Sequence, residues 1–142
     1  MTGSTEWRGG AGRMAAWAVA ALAGVFLLIG VVFIADPATG AAIFGIPAPG
    51  GEGRSYVQAL ALRDLALGLY LLGLLRLGSR RALGIVLAAT VVIPLGDLWL
   101  VGTQEGPFTP WHLLLHGASA AATAGLACWL LWWPMARGEG RR

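Results

Sequence analysis

Residues 56–77 read YVQALALRDLALGLYLLGLLRL, and the reading of this stretch decides the fold. Apart from Gln58, Arg63, Asp64 and Arg76 it is apolar, aromatic or small. As a helix rising ~1.5 Å per residue it is long enough to cross a hydrocarbon core of ~30 Å. Lipid offers no partner to a bare amide or carbonyl, so a run of this kind crosses only as a helix. Similar runs occupy residues 14–35, 81–102 and 111–133, and all are too long for barrel strands. The expected class is all-α: a membrane four-helix bundle with a transmembrane domain over 14–133, an N-terminal tail over 1–13 and a basic tail over 134–142.

Composition agrees with that reading. Of 142 residues 57% are hydrophobic and only 12% charged, too little polar surface to cover a soluble globule of this size. The basic residues are all Arg, and most lie between the apolar runs. The net charge of +3 therefore reflects orientation signals, and no basic stripe with interleaved aromatics offers a nucleic-acid surface. Arg8 and Arg13 precede the first run, Arg76, Arg80 and Arg81 surround the turn between the second and third, and Arg137, Arg141 and Arg142 follow the fourth. The opposite side holds Arg54. The positive-inside rule thus places both termini in the cytoplasm. Trp17, Trp129, Trp132 and Trp133 fall near the inner interface, Trp111 and Trp99 near the outer one, where amphipathic rings anchor. The first run exceeds a signal-peptide core and no small-residue cleavage site follows, so it reads as a retained helix.

Three features of the connections and helices carry expectations of their own. The outer connection, 36–55, holds an apolar patch, Ile43-Phe44-Gly45-Ile46-Pro47, that either anchors at the membrane surface or folds as a lid over the outer mouth. Pro94 removes a backbone donor and frees the carbonyl near Thr90, which predicts a kink just before Asp97. Gly117, Ala121 and Gly125 recur at four-residue spacing on the fourth helix, which predicts close packing of its outer half on a neighbour, either Gly68 or a second copy.

Ionisable residues lie deep in three of the runs: Arg63 and Asp64 on the second, Asp97 on the third and His116 on the fourth. At ~1.5 Å per residue Arg63 sits roughly 10 Å, and Asp97 and His116 roughly 8 Å, below the outer helix ends. A charge in the bilayer costs several kcal/mol by the most lenient scales, roughly 2.5–3.5, so such charges pair or face water. Arg63 and Asp64 are adjacent, ~100° apart around a helix, so each is expected to reach a different partner. The arrangement that suits guanidinium-carboxylate geometry has Arg63 bridging to Asp97 while Asp64 approaches His116. His112, Gln58 and Tyr56 form the rim, with Thr103 and Gln104 nearby. The plain alternative is an ion-pair network that only fastens the bundle.

Other chemistries find little support. His112 and His116 at i and i+4 share a helix face, but a His pair at this spacing commonly stands without metal, so no metal and no cofactor is expected. Haem ligation lacks any further mark. Cys128 has no thiol partner, Ser119 and Thr123 lack a nucleophile setting, and Gly50-Gly51-Glu52-Gly53 lacks the Lys and Ser/Thr of a phosphate loop.

The run Ala61-Leu62-Arg63-Asp64-Leu65-Ala66-Leu67-Gly68, the steps Leu95-Gly96-Asp97 and His116-Gly117-Ala118, and Phe44-Gly45-Ile46-Pro47 together resemble a domain-of-unknown-function family of small four-helix membrane proteins, in a DoxX-like neighbourhood. The resemblance spans about residues 15–133. It implies a shared fold and prominence for the same charged positions, and it assigns no reaction. The function expected is binding of an amphipathic small molecule or a partner subunit at an outer-leaflet polar cluster. A lipid-acting isomerase or cyclase and a proton-coupled small transporter are the alternatives. The partners are the bilayer, a second copy or a membrane subunit, and not nucleic acid.

Overall fold

The computed structural model describes Trp7 and residues 10–46, 50–77, 79–103 and 110–132. Its helices are α1 (Gly10–Ala35), α2 (Pro37–Phe44), α3 (Glu52–Leu77), α4 (Arg80–Thr90), α5 (Val92–Thr103) and α6 (Pro110–Trp132). Three helical stretches are long and apolar enough to cross a membrane: α1, the combined α4–α5 over Arg80–Thr103, and α6. These mark a membrane protein. The helix α3 is as long as α1 but carries Arg63 and Asp64 at its middle and Glu52, Arg54 and Arg76 toward its ends. Arg8, Pro47, Gln104, Trp133, Arg137, Arg141 and Arg142 lie outside the described residues.

Local chemistry sets the helix ends. The helix α1 stops where Pro37 disfavours helical geometry for the residue before it, and Asp36 accordingly has φ −137° and ψ 85°. Asp36 then caps α2, and Pro37 takes its first position, where a missing N–H costs nothing. At the other end Gly45 adopts φ +94°, and its N–H bonds Ala41 O at 2.9 Å. Ser79 caps α4 by accepting from Ala82 N at 3.2 Å.

The division between α4 and α5 at Val91 is the predicted effect of Pro94, whose ring nitrogen cannot donate to Thr90 O. Val91 keeps right-handed helical angles, so the two halves continue as one span.

The helices pack in two sets. In one, α1 packs on α3 through reciprocal glycines. A Cβ on Gly30 would lie 2.6 Å from Leu65 Cγ and 2.9 Å from Ala61 O, and one on Gly68 would lie 2.7 Å from Leu27 Cγ and 3.0 Å from Ala23 O. Gly68 therefore serves α1 rather than α6. In the other set α4 and α5 pack on α6, and Gly84 meets Leu131 and Leu130. Overpacking of this kind costs about 1–3 kcal/mol. Gly30→Leu is thus expected to lower the melting temperature in detergent clearly, while Gly24→Leu on the open face of the same helix leaves it unchanged.

The expected close packing through Gly117, Ala121 and Gly125 does not occur within this chain. Ala121 and Gly125 are exposed, and a Cβ on either glycine would meet nothing within 4 Å. The helix α6 instead turns Ala120, Thr123, Leu126, Ala127 and Leu130 inward, because α4 packs on that face. Trp17, Trp99, Trp111 and Trp132 point outward with Leu28, Leu62, Leu69 and Leu114, a surface suited to lipid.

Two apolar clusters fill the interior. One, toward the Gly10 and Trp132 ends, joins Val19, Ala23 and Phe26 of α1 to Leu71, Leu83, Leu87, Leu126 and Leu130. The other lies at the α2 end and joins Phe33, Ala41, Phe44, Val57, Ala61 and Val101. Along each helix the buried ionisable residue falls between them: Asp64 between Ala61 and Leu71, Asp97 between Leu87 and Val101, and His116 between Leu113 and Leu126. The result is a polar layer between two apolar cores.

Candidate functional site: a polar layer beneath helix α2

The layer centres on Arg63. Its Nη2 lies 3.6 Å from Asp97 Oδ2, the bridge expected between the second and third runs. Its Nε donates to Asp64 Oδ1 at 3.1 Å, so one guanidinium serves two carboxylates. The expectation that Arg63 and Asp64 take different partners fails here. The side chain of arginine is long and flexible enough to fold back on its neighbour, which the ~100° separation of the Cβ directions does not prevent.

The pairing of Asp64 with His116 is also replaced. His116 is buried, and its Nε2 donates to Phe44 O at 2.9 Å, while the Phe44 ring meets the imidazole edge-on at 5.0 Å between centroids. One turn away on α6, His112 Nε2 donates to Ala42 O at 2.9 Å, so it is more than a hydrated rim residue. A carbonyl only accepts, so both Nε2 atoms carry hydrogen in these bonds. The last carbonyls of a helix have no partner of their own, and these two histidines supply one for two of them in α2. His112 also packs against Gly45, where a Cβ would lie 2.8 Å from its Cγ. Residues 37–44 thus fold over the other helices as a short helix bolted to α6. Its Pro37, Gly40, Ala41 and Phe44 are buried against α1 and α3.

Asp36 holds the other end of α2. Its Oδ1 accepts from Ala38 N and Thr39 N at 3.2 Å each, and its Oδ2 accepts from Thr39 Oγ1 at 2.6 Å. Those bonds to Thr39, the hydroxyl first, hold its carboxyl below the ordinary value of 3.8. A depressed carboxyl stabilises above its unfolded value and loses that contribution as pH falls through the folded one. Amide protection at Ala38 and Thr39 should therefore persist down to about the ordinary carboxylate range and collapse only below it, and Asp36→Ala should lack the transition.

Of the expected rim residues, Tyr56 is exposed and Gln58 half-buried, and among the described residues no hydrogen bond ties either to the four central ones. Thr103 turns back to Trp99 O at 2.9 Å. Among the described residues no three of His, Cys, Asp and Glu converge as a metal would require. The layer can, however, accept and donate hydrogen bonds. Arg63 keeps 31% of its side chain exposed, and Asp64 Oδ2 and Asp97 Oδ1 have no bond among the described residues.

The α2 bolt is the element that sequence reading missed as a helix. Its signal is nonetheless there: Asp36 as cap, Pro37 at the first position and Gly45 just past the end.

No curated protein and no solved structure matches the chain. The profile of DUF4267, a domain of unknown function, matches residues 21–130, a stretch that holds α2, Arg63, Asp64, Asp97 and His116. By that match the chain belongs to the DUF4267 family.

Proposed function

We propose that this is a four-span integral protein of the cell membrane, with α3 as the fourth span and both termini cytoplasmic, and that its polar layer binds the polar end of an amphipathic small molecule from the outer leaflet. The observation that carries this reading is the sharing of one guanidinium by two carboxylates, each of which keeps an oxygen with no bond among the described residues. A pair that only fastens helices needs one carboxylate per guanidinium. A second acid leaves acceptor capacity and negative charge, suited to a hydroxyl or an amine. Entry is lateral, because α3 packs on α1 and α5 on α6, and Arg63 reaches across between the pairs while still part-exposed. The burial of α3 against α1 supports its crossing, since Gly30 and Gly68 interlock the middle of α3 with the C-terminal half of α1. The DoxX-like neighbourhood rests on sequence resemblance alone.

The test is the set of small molecules that co-purifies with the protein in mild detergent. A hydroxyl- or amine-bearing amphiphile should accompany the native chain and be depleted about ten-fold with Asp64→Asn or Asp97→Asn, as expected for a lost charge-assisted hydrogen bond. The same molecules in the same amounts for all three proteins would remove the reading.

A further inference from the structure

Beyond the polar layer, a second compartment lies along the seam of α2 and α3. It is a pocket of about 110 Å³ lined by Ala41, Phe44, Ile46, Val57 and Leu60, with Gly53 and Tyr56 completing its wall. Phe44 links it to the layer: the residue lines the pocket, and its ring meets the His116 imidazole edge-on. Every side chain in the wall is apolar except Tyr56, which is exposed.

We propose that this pocket is a binding site for a compact apolar group, a single ring or a short branched chain, on a molecule that arrives through the bilayer. Its walls are almost wholly apolar, so a polar ligand gains little inside and water would find no full set of partners there. An engineered apolar cavity of ~150 Å³ holds benzene, so this smaller, partly open one takes a group of about five or six carbons. The Tyr56 hydroxyl gives such a molecule a polar contact. Because Phe44 both lines the pocket and holds His116 by ring and carbonyl, occupancy is felt at that imidazole. The site is independent of ligand binding in the polar layer, and each can fail without the other.

The experiment uses the full chain in lipid nanodiscs with labelled histidine. The sequence has 2 His, so the imidazole signals are told apart with His112→Gln. Benzene is the probe, and pyridazine, of the same shape but polar, is its control. Benzene should shift the His116 signals along a saturating curve, and pyridazine should not. Ala41→Leu fills the pocket from α2 and should abolish the saturating shift while melting no lower than the native chain. If that variant melts lower, Val57→Phe, which fills it from α3, carries the same expectation. A shift that grows linearly with benzene, that appears equally with pyridazine, or that survives in the folded filled variant would overturn the proposal.

Discussion

Arg63→Leu is expected to destabilise the protein by about 3–5 kcal/mol, the cost of stripping a buried charge network of its counterion. The loss is large because Asp64 and Asp97 both depend on this guanidinium, at 3.1 and 3.6 Å, and both are buried. Two carboxylates left in an apolar interior have neither water nor a cation to face. Arg63→Lys keeps the charge but cannot divide a planar fork between two acids, so it should recover only part of the loss. The informative comparison is Arg63→Leu combined with Asp64→Leu and Asp97→Leu. Replacing a whole buried ionic set with apolar side chains is often neutral or stabilising. The triple variant should therefore unfold in detergent near the native temperature while losing the co-purifying amphiphile. A triple variant that stays as unstable as Arg63→Leu would mean that the network is the fastening of the bundle.

The second large effect is expected from His112→Leu with His116→Leu. Each histidine satisfies a carbonyl at the end of α2; the Phe44 carbonyl is buried, and such an acceptor left unpaired costs about 1–3 kcal/mol, while the exposed Ala42 carbonyl costs less. Removing both should release α2 from α6 without breaking the α1–α3 pair, which is held by Gly30 and Gly68. Hydrogen exchange should report this as a loss of protection confined to residues 37–45, with α1 and α3 unchanged. His112→Leu alone should act more weakly, since His116 has the Phe44 ring contact as well as the Phe44 carbonyl. Global loss of protection in the double variant would show instead that α2 is needed for the helix pairs to form.

Much of the architecture was legible because bilayer physics constrains it. Apolar runs of spanning length must be helical, and the helices α1, α4–α5 and α6 begin and end within a few residues of the apolar runs at 14–35, 81–102 and 111–133. The break at Val91 followed from Pro94, and the Arg63–Asp97 bridge from the cost of a lone charge at depth. What was not legible depended on rotation and reach. Small residues at four-residue spacing say that close approach is possible, not which face turns inward, and α6 turned Gly117, Ala121 and Gly125 away. The partner of His116 was likewise hidden, because it is a backbone carbonyl of a helix 72 positions earlier, and backbone acceptors leave no trace in residue type.

The functional account rests on a polar layer held inside the bilayer between two apolar cores. Solid-state NMR on the full chain in lipid bilayers tests this most directly, by correlating the guanidinium nitrogens of Arg63 with side-chain carboxylate carbons and with lipid phosphorus. The account predicts contacts from one arginine to both Asp64 and Asp97 and none to phosphate. An Arg63 guanidinium that correlates with lipid phosphorus and with neither carboxylate would contradict it, because α3 would then lie with its charges at the headgroups rather than cross the membrane.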